Sequence, residues 1–266
     1  MTDQPAAKAP AIPRPASTIL LTRDSDEGVE VFMVKRHHQI DFMSGALVFP
    51  GGKIAPGDSD ARIRTLSDGA DGFDDEELPF AACAIREAFE ESGILLARKA
   101  ATGEMLTGQE TLDLDHHRNP LNKEELGLAD FLEQNGLRLA VDRLVRYARW
   151  ITPVMVPKRF DTWFYLAAAP EGQLGAHDGH ESVDSTWITP KAAMAEGSKW
   201  SIVFPTRMNL IRLQESPTVE AALKTSAARK VEICLPRPER IDGKPFIRLP
   251  VEAGYGEVLE PMGAPG

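Results

Sequence analysis

The sequence predicts an α/β fold in which helices cover a curved mixed sheet, and three observations carry that expectation. Strand-length apolar runs lie at 16–22 and 29–36, joined by an Asp/Gly-containing turn. An uninterrupted helical run follows at 79–92. Strand character then returns at 148–152 and 160–168, with Pro153 and Pro157 between, before a last strand near 185–188 and helices starting around Lys191 and Pro205.

Residues 1–16 are rich in Pro and Ala and lack an apolar h-region, so they read as a flexible arm rather than a signal peptide. Residues 17–232 read as one domain, in which 46–49 form a short third strand. Beyond the central helix, 97–149 reads as a mostly helical insertion. Asn122 with Glu125 makes a candidate capping box there, and Leu137, Val141, Leu144, Val145 and Ala148 recur at helical spacing. The tail from 233 to 266 is Pro/Gly-rich, and reads either as extended pieces wrapping the domain or as partly disordered.

Composition narrows the function classes. At 266 residues, 42% hydrophobic and 26% charged, the chain resembles an ordinary globular protein. Its net charge of −10 argues against DNA as a partner, although 201–250 carries nine Lys/Arg against five Asp/Glu and suits a small anion. No apolar run is long enough to span a membrane, and Cys83 and Cys234 lack a CxxC partner; together these suggest a cytoplasmic, reducing setting.

The most informative run is Arg86-Glu87-Ala88-Phe89-Glu90-Glu91-Ser92-Gly93-Ile94. Gly93 is a candidate C-cap, so Glu87, Glu90 and Glu91 crowd the negative end of the helix on one face. The Glu87/Glu91 pair at i,i+4 costs roughly 0.2–0.5 kcal/mol, and the dipole adds to that penalty. Either the triplet is a solvated acidic face or a divalent cation reverses its repulsion; hard oxygen ligands suit Mg²⁺ or Mn²⁺.

Upstream stands Phe49-Pro50-Gly51-Gly52-Lys53-Ile54-Ala55-Pro56-Gly57-Asp58. Together the two segments resemble the box of the Nudix hydrolase family, G-x5-E-x7-R-E-U-x-E-E-x-G-U with U aliphatic. Gly52, Asp58, Arg86, Glu87, Glu90, Glu91, Gly93 and Ile94 occupy its positions. Asp58 stands in place of Glu, and twenty-seven residues separate it from Arg86 where the pattern has seven. The surplus, about 59–78, reads as a surface insertion whose closure cost grows only logarithmically with length.

The resemblance implies an α/β/α sandwich and a metal-dependent diphosphatase. It makes Glu87, Glu90 and Glu91 metal ligands together with the Gly51 carbonyl, pairs Asp58 with Arg86, and leaves one glutamate or a later loop acid as general base. Glu181 fits that later placement best. The nearby His177-x-x-His180 reads more simply as a loop than as zinc ligands. Within the family, the insertion and the blocks Arg149-Trp150-Ile151-Thr152-Pro153 and Arg159-Phe160-Asp161-Thr162-Trp163-Phe164 resemble the subgroup containing peroxisomal coenzyme A diphosphatases of animals.

An upstream signature of coenzyme A-type members is matched by Arg36, Gly45 and Phe49-Pro50-Gly51-Gly52. His37 replaces its small residue and Asp41 its second Arg, where an acid would repel the 3′-phosphate. Arg36 and Arg159, with Gly51 and Gly52, are the candidate substrate contacts; each arginine reads equally as a strand-end ion-pair partner. The expected partner is a small nucleoside diphosphate derivative, with coenzyme A or an acyl-coenzyme A preferred over ADP-ribose or a nucleotide sugar. A non-catalytic ligand-sensing domain is a further alternative, disfavoured because all three box glutamates and Arg86 are present. The 97–149 region offers a surface for a homodimer.

Overall fold

The computed structural model of the protein describes residues 11–36, 45–173, 175 and 182–262. Strand β1 (Arg14–Ser25) and β2 (Gly28–Arg36) form a hairpin; β3 (Leu47–Val48) adds to β2 and β4 (Gly51–Lys53) to β1. A 3-10 turn at Pro56–Ser59, helix α1 (Arg62–Thr65) and strand β5 (Ser67–Asp68) precede the long helix α2 (Leu78–Ser92). Then come β6 (Ala97–Lys99), α3 (Gly108–Asp113), α4 (Arg118–Asn122), α5 (Leu128–Gln134), β7 (Leu137–Ala140), β8 (Val145–Ile151), β9 (Phe160–Ala168) and β10 (Ser182–Ile188). Helices α6 (Pro190–Ala193), α7 (Phe204–Gln214) and α8 (Val219–Ala227) lead to β11 (Ile233–Cys234), β12 (Arg237–Ile241), β13 (Lys244–Arg248) and β14 (Leu259–Pro261).

The main sheet runs β10-β2-β1-β9-β8-β11 and is mixed: β1 lies parallel to β9 and β11 to β8, whereas β2 and β4 pair with β1, and β8 with β9, antiparallel. Period-two alternation divides its side chains between two cores. Ile19, Leu21, Phe32, Val34, Tyr165 and Ala167 pack on the α2 and α5 side. Leu20, Val31, Met33, Phe164 and Leu166 face the α7 and α8 side. This is the expected α/β/α sandwich.

Three segments depart from expectation. Strand β1 starts at Arg14, inside the stretch read as an arm, because parallel pairing with β9 begins there and the Arg14 N–H donates to the Arg159 carbonyl at 2.9 Å. The box insertion, read as a surface addition, contains α1 and β5 and sends Ile63, Ala70 and Phe73 into the core. The segment 137–149 holds strand β7, a 3-10 turn at Val141–Arg143 and the start of β8 rather than an α-helix. Leu137 and Leu139 also satisfy a period of two, and pairing of β7 with β5 on one side and β6 on the other decides the outcome. Likewise Asn122 ends a helix, and the capping box lies at Thr107, whose hydroxyl accepts from the Glu110 N–H at 3.3 Å. The tail forms a separate three-stranded sheet, β12-β13-β14, consistent with the extended alternative.

The β5-β7-β6 sheet therefore joins the box insertion to the later insertion. Arg138 reinforces it with a 2.6 Å bond from Nε to Asp68, and Arg98 bonds Asp142 at 2.7 Å. Gly69 sits between these parts at φ 82°, and a Cβ there would lie 2.5 Å from Cβ of Asp142. Gly69→Ala should therefore cost at least ~1–2 kcal/mol from the left-handed backbone alone. A urea midpoint unchanged by this substitution would show that the junction has slack.

Candidate active site

Helix α2 forms because 79–92 contains no interior breaker and is rich in alanine. Asp74 accepts from the Glu76 and Glu77 N–H groups before its start, and Gly93 ends it at φ 69° with its N–H donating to the Phe89 carbonyl. Phe89 stacks on Phe131 with centroids 5.6 Å apart, fixing the rotation of the helix against α5. That rotation presents Arg86, Glu87, Glu90 and Glu91 towards the glycine elbow of β4.

Arg86 is the hub. Its Nε and Nη2 donate to the two Asp58 oxygens at 2.8 and 2.9 Å, a bidentate pair that spans the insertion. Nη1 donates to Glu87 Oε1 and Glu90 Oε2, both at 2.9 Å, and Nη2 also reaches the Lys53 carbonyl at 3.0 Å. Asp58 itself accepts from the Ala55 N–H at 2.8 Å, so the shortened carboxylate still ties the elbow to the helix. Burial works against the Arg86 charge, but the Glu87 carboxylate and the Asp58 hydrogen bonds outweigh it and hold its pKa above the ordinary value.

Glu90 is 2% exposed, and burial, reinforced by the Glu87 charge and opposed by Arg86, pushes its pKa up to about 8. Its Oε1 has no hydrogen-bond partner among the described residues. Glu91 accepts from the Gly51 N–H at 3.0 Å. Gly52 has no room for a side chain: a Cβ would lie 2.4 Å from Glu87 Oε1. Burial, with the Asp58 charge, also pushes the adjoining Cys83 thiol well above its usual range.

Three buried acids thus share one guanidinium, with Glu91 beside them on the Gly51 N–H, so acidic groups outnumber basic ones in the cluster. Among the described residues no three His, Cys, Asp or Glu side chains converge as a ready metal site; Glu87 and Glu90 both turn to Arg86. The donor set nevertheless fits a hard divalent cation, because it consists of carboxylate oxygens, one of them buried and unsatisfied, beside a backbone too close for a Cβ.

The carboxylates border a cleft of about 970 Å³. Its floor comes from alternate residues of three adjacent strands: Ala16 and Thr18 of β1, Phe160, Thr162 and Phe164 of β9, and Trp150 of β8. The two sequence blocks singled out by resemblance therefore meet as part of one surface, a role their separate motifs did not disclose. Period-two alternation was the available signal. Arg159 is placed elsewhere: it is buried, and its Nε and Nη1 donate to the Thr152 and Ala11 carbonyls at 2.9 and 2.8 Å. The Arg36 side chain, Asp41, His177, His180 and Glu181 lie outside the described residues.

Fold and box together define the class: the chain belongs to the Nudix hydrolase family. The family model described as the NUDT19 Nudix domain matches residues 67–213, more than half of the chain. Within the family the protein is similar to a Caenorhabditis elegans protein named as nudix hydrolase 7, 28% identical over 88% of this chain and 71% of that one. It is also similar to the acyl-coenzyme A diphosphatase NUDT19 of Xenopus laevis, 24% identical over 77% of this chain and 65% of that protein. Among solved structures, a Nudix hydrolase from Alicyclobacillus acidocaldarius matches with a TM-score of 0.68 and 27% identity, covering 83% of this chain and 99% of the other. Among the described residues no helix is long and apolar enough to cross a membrane.

Proposed function

We propose that the protein hydrolyses the diphosphate bond of a nucleoside diphosphate linked to a second moiety, with coenzyme A or an acyl-coenzyme A as preferred substrate. The observation that carries this reading is the buried Arg86-centred carboxylate cluster, set against the Gly51–Gly52 elbow at one end of the cleft. Glu87, Glu90, Glu91 and the Gly51 carbonyl would hold Mg²⁺ or Mn²⁺. When bound, the metal supplies charge neutralisation at the phosphoryl oxygens and acidifies the attacking water.

The chain's own residues do the positioning. Arg86 fixes the Glu87 and Glu90 carboxylates from behind, and Asp58 fixes Arg86. Gly51 and Gly52 keep the elbow free of side chains, so a diphosphate can approach the backbone. Water attacks one phosphorus and the bridging P–O bond breaks; from coenzyme A the products are 3′,5′-ADP and 4′-phosphopantetheine. The name of the frog relative supports that substrate.

Mass spectrometry of products from coenzyme A, ADP-ribose and a nucleotide sugar, incubated with Mg²⁺, tests the reading. The expected result is 3′,5′-ADP at the fastest rate. Cleavage of the other two with coenzyme A left intact would remove the preferred substrate. The same cluster predicts stabilisation by metal: Mn²⁺ at a hundredfold excess over its Kd should add ~2.7 kcal/mol to the unfolding free energy. EDTA should reverse the rise in thermal midpoint, and an unshifted midpoint would count against a metal at these glutamates.

A further inference from the structure

Two arginines beside α7 carry charges that the fold does not balance. Arg212 of α7 is 7% exposed; its Nη1 donates to the Tyr147 carbonyl of β8 at 3.4 Å and its Nη2 to the Ala253 carbonyl at 2.6 Å. Arg229, two residues past α8, donates through Nη2 to the same Tyr147 carbonyl at 3.1 Å. Two guanidiniums thus converge on one neutral acceptor. Among the described residues neither forms an ion pair. Glu215, a carboxylate whose charge reaches Arg229, is exposed and pairs with neither. The Cys234 thiol feels the Arg212 charge, but burial pushes its pKa up to about 12, so it stays neutral. Burial and the Arg212 charge together push the Arg229 pKa below its ordinary value.

The neighbouring polar groups are also short of acceptors. The Trp150 indole N–H donates to the Tyr255 hydroxyl at 2.8 Å, which donates on to Asn209 Oδ1 at 2.6 Å. That chain fixes the Asn209 amide with its nitrogen as the unused donor, and this Nδ2, in a residue 0% exposed, has no acceptor among the described residues. Arg212 Nε, nearly one helical turn further along α7, is likewise buried and unmatched. Arg212 lies 3.6 Å over the Tyr255 ring, so both orphaned donors belong to residues that contact the same tyrosine. Buried donors without acceptors are costly, and a guanidinium pair without a counter-charge adds to that cost. Arg212, Arg229, Asn209 and Tyr255 are absent from the lining of the cleft, which sets this cluster apart from the carboxylate site.

We propose that Arg212 and Arg229 form a second binding site, for an oxyanion of the phosphate class, outside the cleft. A phosphate group carries a charge of roughly −1.5 to −2 near neutral pH and presents acceptors on several sides. It therefore matches two guanidiniums in charge and in geometry, each being a planar fork of N–H donors. A chloride ion supplies half the charge and no directed acceptors. An anion held there would brace the 3-10 turn at Val251–Ala253 against α7 and, through Tyr255, steady Trp150, whose side chain does line the cleft.

Thermal unfolding of the full chain in EDTA, at constant ionic strength, compares inorganic phosphate with chloride. Phosphate at ten times its Kd should raise the midpoint by about 3 °C, and the rise should saturate. Arg229→Gln is expected to abolish that rise. Arg229→Lys keeps the charge without the fork, and should need at least about threefold more phosphate for half the effect; it carries the test should the first variant fail to fold. In the wild type, amide exchange across 251–256 should slow when phosphate is added. No saturable rise in the wild type, or the same rise at the same concentrations in both variants, overturns the assignment and marks a general salt effect. Slowed exchange confined to residues lining the cleft would place the anion there and overturn it as well. Neither divalent metal nor diphosphate is present, so the outcome stands whether or not the cleft proves to be a diphosphatase site.

Discussion

Glu90→Gln is expected to lower kcat/KM for the preferred diphosphate by about a thousandfold, the loss of ~4 kcal/mol of barrier lowering. The substitution keeps the shape of the side chain and an oxygen to accept from Arg86 Nη1. It removes a carboxyl that burial keeps protonated up to about pH 8 and that a bound cation would draw into the charged form, beside Glu87 and Asp58 on the same guanidinium. Two readouts should therefore move in opposite directions: without metal the variant should melt no lower than wild type, while the Mn²⁺-induced rise in midpoint should largely vanish. Retained turnover would exclude Glu90 from the chemistry. A midpoint that fell sharply in EDTA would instead make its role structural.

Arg86→Met should have the largest effect on stability, a loss of about 3–5 kcal/mol, because buried carboxylates left without their partner are more costly than the intact pair is favourable. Arg86 is 6% exposed and Asp58 1%, so water cannot readily replace the missing donors. Arg86→Lys should recover only part of the loss, since one ammonium cannot span both Asp58 oxygens and still reach Glu87 and Glu90. Combining Arg86→Met with Asp58→Asn in a double-mutant cycle should reveal a coupling of ~1–3 kcal/mol. Strict additivity, measured by urea unfolding, would mean that the two side chains do not support each other.

Much of this site could be read before any fold was known, for reasons that differ by element. Helix α2 was legible because its run has no breaker, ends at a glycine that adopts φ 69°, and places its acids where local energetics alone would not. The Asp58–Arg86 pair survived its long intervening segment because a loop insertion leaves the two ends free to meet. The segment 137–149 misled because five apolar residues at helical spacing are divided between two strands, which take Leu137, Val145 and Ala148, and a 3-10 turn with its link, which take Val141 and Leu144. Only the pairing of β7 with β5 and β6 resolves that ambiguity, and those partners lie on either side of α2 in sequence.

The full lining of the cleft was illegible for a related reason. Trp150, Phe204 and Ile247 come from three distant segments, and nothing local in any of them announces the other two. Arg159 shows the converse: its position in a resembling block suggested substrate, while the fold spends its guanidinium on two backbone carbonyls.

The small sheet joining β5, β7 and β6 changes what the extra residues within the box amount to. They are a strut shared with the later insertion, clamped by Arg62 to Asp130 and Glu133 and by Arg138 to Asp68. Amide protons of Ser67 and Leu139 should exchange in step, and a protease should find no easy nick between them until both segments open. Transplanting this region into a shorter relative would therefore require moving two stretches of chain at once.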